Sequence, residues 1–307
     1  MGLLSEYAKW YAGYRAGRQA ILSMAGCPFY FTDVFTQGPY SGNQLATLIP
    51  AKPLADSIMQ SIAREINFSE TSFVTGGSMS AGFDIRIFTP TEEIPFAGHP
   101  VLGSAFVVRK AFGLESSSEV GLNLAGGKVP VSFKDPGFQF FTRDQVQISE
   151  AQDLGGLIQD LGLKPEDIDS RYPCCRASAG LRFLIIPLVS VAALRSIDSS
   201  QVNCQEPVFL FAPADAGMAE HIRARMFAPG LGVVEDAATG SASCALGGYL
   251  VEYEYFGSTQ VTILIGQGFE MGRPSHIHVT AVKNRKHFNI EVGGQIRLVG
   301  QGHWVTG

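Results

Sequence analysis

One pattern occurs twice in this chain and limits what it can fold into. Arg86-Ile87-Phe88-Thr89-Pro90 has the look of a strand end, and it leads through Gly98-His99 into the apolar stretch Pro100 to Phe112. Arg225-Met226-Phe227-Ala228-Pro229 does the same, leading through Gly240-Ser241 into a second apolar stretch, Ala242 to Tyr253. The interval from proline to glycine is 8 residues in the first copy and 11 in the second. Strand, small-residue turn and helix recurring together point to an internal duplication rather than to a chance match of a few letters. A chain of 307 residues has room for two such units. The expectation is an α/β (α+β) architecture of two similar halves, with Asp144 to Gly162 as the passage between them.

The other elements fit this frame. Phe29 to Phe35 is aromatic and β-branched and ends in the turn-forming Gln37-Gly38-Pro39, which reads as a strand. Leu54, Ile58, Ile62 and Ile66 lie four apart, predicting a helix over Leu54 to Glu65. Phe83 to Phe88 alternates as a strand does. The 35 glycines suit a strand-rich chain with many tight turns.

Residues 1–25 differ from the rest. Leu3, Leu4, Tyr7, Trp10, Tyr11 and Tyr14 recur at helical spacing beside Lys9, Arg15 and Arg18. The segment reads as an amphipathic N-terminal extension with three meanings open: a targeting or membrane-surface helix, an appended docking helix, or sequence upstream of a start at Met24. The totals exclude several function classes. With net charge −5 and no cluster of basic and aromatic residues, nucleic acid is not an expected partner. No apolar run approaches the ~20 residues of a membrane span. Five cysteines without a C-x-x-C pair suit a reducing compartment, so a cytoplasmic location is expected.

The chemistry concentrates in Asn67-Phe68-Ser69-Glu70-Thr71-Ser72-Phe73. Glu70 stands among apolar and hydroxyl side chains, and burial by Phe68 and Phe73 would raise its carboxyl pKa toward neutrality. Such a carboxyl can take a proton from carbon and return it. The dinucleotide and phosphate-loop fingerprints are missing, since Gly266-Gln267-Gly268 lacks its further glycine. His276 and His278 on one strand face have no evident third ligand, so no metal is expected. Asp236, His99 and Ser241 are the residue types of a hydrolytic triad, but no G-x-S-x-G elbow surrounds Ser241. Serine hydrolysis, and a ligand-binding role without turnover, stand as alternative readings. A serine at a helix start also caps well, so Ser241 could be structural.

Several stretches taken in order resemble the phenazine-biosynthesis isomerase (PhzF-like) family, which shares its fold with diaminopimelate epimerase. They are Asp33-Val34-Phe35-Thr36, Ser41-Gly42-Asn43, Asn67 to Thr71, Phe88-Thr89-Pro90, Gly98-His99-Pro100, Asp236 to Ser241, and Gly272-Arg273-Pro274-Ser275. The resemblance implies two epimerase-like halves, each a curled, mostly antiparallel sheet around a central helix, with the active site in the cleft between them. The halves would be 26–140 and 141–289, with a C-terminal strand of about 290–307 returning to the first. It implies an isomerase that needs no cofactor and acts on a small carboxylic acid, with Glu70, His99 and Asp236 catalytic. Ser69, Gly98, Gly240 and Ser241 would hold the substrate, and a homodimer is the implied assembly. The related epimerases use two opposed cysteines. Here Gly98-His99 and Gly240-Ser241 occupy those helix starts, and Cys244 lies a turn further in, as a small core residue. A one-carboxyl mechanism is therefore expected. Specificity would reside in loops such as Gly76 to Gly82 and Ala212 to Gly217.

Overall fold

The computed structural model describes residues 26–305 apart from 135–136, 152–153 and 286; the extension read in residues 1–25 lies outside the described residues. Five α-helices occur among them: α1 (Asp56–Ile66), α2 (Gly98–Ala111), α3 (Gly155–Asp160), α4 (Val191–Arg195) and α5 (Gly240–Glu252). The strands form one hydrogen-bonded network of mixed direction.

The duplication is visible in the strand pairing. Strand Gly82–Phe88 passes through α2 and reaches Glu119–Leu124, which lies parallel to it. Strand Ile222–Ala228 passes through α5 and reaches Gln260–Gln267, again parallel. A second crossover also recurs: Asn43–Leu48 through α1 to the parallel Glu70–Ser78, and Arg182–Pro187 through α4 to the parallel Val208–Pro213. Parallel neighbours cannot be joined by a hairpin, so each pair needs its intervening helix. The remaining pairings in the two curled layers are antiparallel.

Helices α2 and α5 differ from α1 for a physical reason. In α1 only Met59, Ile62 and Ala63 are buried, the one-sided pattern of a helix lying on a sheet. In α5 every residue from Gly240 to Val251 is buried, and in α2 ten of fourteen are, among them every residue from Gly98 to Ala105. A helix apolar on all sides must be surrounded, and strands curl around both. The two sit head to head. A Cβ added at Gly98 would fall 2.6 Å from the Ser241 amide nitrogen and 2.7 Å from the Gly240 carbonyl carbon. Glycine stands there because the other helix start leaves no space.

The long strand His287–Trp304 ties the sheet together. It pairs antiparallel with Ser275–Asn284, with Phe138–Arg143 and with Cys27–Val34, so among the described residues the last strand closes onto the first. Helix boundaries depart modestly from the sequence reading. Helix α2 starts at Gly98 rather than Pro100, which places the proline in the third helical position, still within the first turn where its missing N–H is harmless. The stretch 144–162 is more than a passage: Gln147–Glu150 is a strand paired with Cys175–Ser178, and α3 follows it.

Candidate active site

The head-to-head helix starts form the floor of a pocket. Its walls include Ser69, Glu70, His99, Asp236, Thr239 and Ser241. All seven residues singled out from the sequence line it, Gly98 and Gly240 completing the set.

Glu70 is the first residue of Glu70–Ser78, and 14% of its side chain remains exposed. Its Oε2 lies 3.3 Å from His99 Nε2, and neither atom has another hydrogen-bond partner among the described residues. No arginine or lysine among those residues lines the pocket to offset the carboxylate. Loss of solvent, reinforced by the nearby Asp236 charge, holds the Glu70 carboxyl well above the usual range. The residues that shelter it are not those expected. Phe68 and Phe73 pack with Phe31 and Phe88 in the separate core beneath α1, whereas the pocket's apolar wall comes from Ile94, Leu181, Phe183, Met226, Leu231 and Val233. The alternation of a strand explains this, since Phe73 lies on the opposite face from Glu70.

His99 follows the first residue of α2 and is 2% exposed. Burial drives its pKa from 6.5 to about 3, against a smaller upward pull from the Gln44 backbone, so the ring is neutral at physiological pH. Because the unfolded chain would protonate this imidazole near pH 6.5 and the folded chain only near 3, stability falls as pH drops through that window. His99→Gln should flatten the acid side of the stability curve, removing a slope on the order of a few kcal/mol between those limits. Denaturant melts of both proteins at a series of pH values measure this; parallel curves would refute it.

Asp236 ends the strand Val233–Asp236 and is 4% exposed. Its Oδ1 accepts from Asn43 Nδ2 at 2.7 Å and from Ser69 Oγ at 3.0 Å, and its Oδ2 from Thr239 Oγ1 at 2.6 Å. Burial raises its pKa and these bonds lower it, the burial being the larger. From behind, Gln267 Nε2 donates to the Asp236 carbonyl at 2.8 Å and Thr239 N donates to Gln267 Oε1 at 3.1 Å.

Ser241 is not a cap. The cap position of α5 is Thr239, and that of α2 is Ala97; neither side chain bonds to its helix, Thr239 having turned its hydroxyl to Asp236. The first-turn amides of both helices therefore have no side-chain acceptor at the cap, and they open beside Gly98, His99, Gly240 and Ser241. Two such ends facing one small space favour negative charge there. A Ser-His-Asp relay is not assembled, because His99 contacts Asn43 and Glu70 rather than Asp236.

Other expectations fare unevenly. His276 is taken up by Glu220, Nε2 to Oε1 at 3.0 Å, and His278 stands edge-on to Phe138. Cys244 is fully buried in the core and its thiol pKa is pushed up to about 12, as befits a packing residue. Neither 76–82 nor 212–217 lines the pocket; much of its apolar wall comes instead from 181–183 and 226–233. Sequence reasoning does not single out Asn43, Thr239 or Gln267 as site residues. The signals it holds are the positions of Asn43 in Ser41-Gly42-Asn43 and of Thr239 within Asp236 to Ser241.

The family model for phenazine biosynthesis-like proteins (PhzC-PhzF) matches residues 32–302. The trans-2,3-dihydro-3-hydroxyanthranilate isomerase of Pseudomonas aeruginosa is 35% identical over 266 residues, covering 81% of this chain and 88% of that protein. Among solved structures, a PhzF-family phenazine biosynthesis protein of Bacillus anthracis superposes with a TM-score of 0.81 at 23% identity, covering 92% of this chain and all of that one. A hydroxyproline epimerase of Agrobacterium vitis, 12% identical, covers 91% of this chain and 92% of its own with a TM-score of 0.61, which carries the likeness of fold to the epimerases. Among the described residues no helix is long and apolar enough to cross a membrane. Matched along nearly its whole length by the family model and by relatives named as isomerases, the chain belongs to the PhzC-PhzF phenazine biosynthesis-like family and is an isomerase.

Proposed function

We propose that this isomerase moves a proton between carbons of a small, unsaturated or amino-substituted carboxylic acid, with Glu70 as the general acid/base and no cofactor. The observation that carries the reading is the Glu70 carboxyl, desolvated and facing a neutral imidazole above two uncapped helix starts.

The substrate carboxylate takes the first-turn amides of α2 and α5, where aligned peptide dipoles and free N–H groups favour it. Glu70 then removes a proton from an activated carbon: the C–H bond breaks, an O–H bond forms, and the electron pair enters the conjugated system. The same carboxyl returns the proton to another carbon, so atoms and electrons balance with nothing else consumed. A carboxyl whose pKa lies near the working pH suits both directions. His99 and Asp236 hold an amino or hydroxyl substituent and steady the charge that develops. The apolar wall of Leu181, Phe183 and Met226 keeps the low dielectric in which these groups act most strongly.

The test is incubation in deuterated water with trans-2,3-dihydro-3-hydroxyanthranilate, the acid named for the Pseudomonas aeruginosa relative, and with related unsaturated amino acids. Enzyme-dependent incorporation of label at carbon is the expected result. A panel of such acids that neither exchange nor isomerise would overturn the proposal.

A further inference from the structure

We infer that Asn43, pinned by Arg273, is the positioning residue that fixes Asp236 against the Glu70–His99 pair. The inference rests on the roles proposed above and concerns a side chain that does not line the pocket. Asn43 is 3% exposed and opens the strand Asn43–Leu48. Its Nδ2 reaches Asp236 Oδ1 at 2.7 Å, the Ala238 carbonyl at 2.9 Å and His99 Nδ1 at 3.1 Å. One amide group thus touches a catalytic candidate from each half of the duplicated fold, and the loop that leads into α5.

The amide can serve as a strut because its own backbone is immobilised. Gly42 sits at φ +82°, and a Cβ there would fall 2.5 Å from the Val34 carbonyl oxygen, so only glycine makes the turn. Arg273 Nε donates to the Gly42 carbonyl at 2.9 Å, and Nη2 donates to the Ser41 carbonyl at 3.3 Å and to Asp33 Oδ1 at 2.5 Å. Gly42 N donates in turn to the Pro274 carbonyl at 3.1 Å. The segment before Asn43 is therefore clamped to residues 273–274.

Asp236 has two other side-chain donors, and neither can replace this one. Thr239 is three residues away on the same turn and moves with it. Ser69 lines the pocket, where a ligand competes for its hydroxyl. Asn43 is the donor that is buried, distant in sequence and outside the pocket.

The test uses two variants of near-identical size. Asn43→Leu removes the donor and keeps the shape. A turnover drop of at least about tenfold with KM changed less than about threefold is expected at every pH. Asn43→Asp places a carboxyl beside Asp236. The groups facing it are Asp236, His99 and, through His99, Glu70, with the Asp33–Arg273 pair behind. At low pH one shared proton maintains the hydrogen bond; as pH rises and that proton leaves, two carboxylates repel. This variant should therefore lose activity on the alkaline side where the parent does not. Its melting temperature should also fall progressively below the parent's as pH rises.

Wild-type turnover in the Leu variant, or Asp-variant curves that track the parent across pH, would overturn the inference. Melting curves need no substrate. They decide the strut even if no acid exchanges label, an outcome that would instead count against the proposed reaction. Should the Leu variant not fold, the Asp series alone decides.

Discussion

Glu70→Gln is expected to lose carbon–hydrogen exchange by about a thousandfold while melting no lower than the parent at neutral pH. The first half of that result follows from chemistry. An amide cannot accept a proton from carbon, and positioned acid/base groups typically contribute about 10²–10⁴-fold. The nearest other bases do not stand in. His99 carries a pKa of about 3 and is a poor base, and Asp236 has both oxygens occupied by hydrogen bonds.

The second half follows from the sign of the Glu70 shift. Its carboxyl ionises well above 4.5 when folded because burial and the Asp236 charge oppose ionisation. In the unfolded chain it ionises near 4.5. Between those values the unfolded chain has released its proton and the folded chain has not, so stability declines as pH rises through the window. The neutral amide of the variant carries no such slope. The stability difference should favour the variant increasingly from about pH 4.5 upward and level off once the folded carboxyl ionises. Deuterium incorporation and melts over about pH 4–9 test both halves together. A variant that retains exchange removes Glu70 from the mechanism; one destabilised at neutral pH means that the carboxyl is an anchoring group and not a strained one.

How much of this site can be read from the chain alone depends on the range of the forces involved. The two apolar helices and their small-residue starts are legible because periodicity and turn chemistry are local, and the duplication repeats them. The departures are also local in origin. Pro100 suggests a first helical residue, yet the helix begins at Gly98, because proline fits any position in the first turn. Sequence proximity assigns the shelter around Glu70 to Phe68 and Phe73, although strand alternation turns Phe73 away. Most of the true wall arrives from residues more than a hundred positions later, among them Leu181, Phe183 and Met226, which no window over Glu70 contains. Asn43 escapes for the same reason, since its partner Asp236 lies 193 residues away in the other half. Gln267 meets Asp236 and Thr239 within its own half, but an amide has no distinctive local pattern to mark it. Carboxylate and imidazole stand out by residue type, whereas the groups that aim them do not.

The meeting of the halves is itself most exposed to substitution at one point, and Gly98→Ala should be among the most damaging single-methyl changes available. Gly98 has no unusual backbone angle to protect: it is the first residue of α2, and alanine is ordinarily the better helix former by ~1 kcal/mol. Propensity alone would make the change stabilising. Space reverses the sign. The added Cβ would lie 2.6, 2.7 and 2.8 Å from backbone atoms of Ser241 and Gly240, none of which can rotate away as a side chain can. Overpacking of this kind costs about 1–3 kcal/mol, and more where rigid backbone must move. The relief available is separation of the two helix starts, which widens the proposed carboxylate site. Both consequences follow from one displacement, so the variant should melt several degrees lower and raise KM for a carboxylate substrate at least about tenfold. An alanine substituted for Gly113, where a Cβ would meet nothing within 4 Å but φ is +66°, supplies the contrast: strain without crowding, and no effect on KM. If Gly98→Ala keeps both its melting temperature and its KM, the two helix ends are not held together as the packing requires, and the carboxylate site loses its basis.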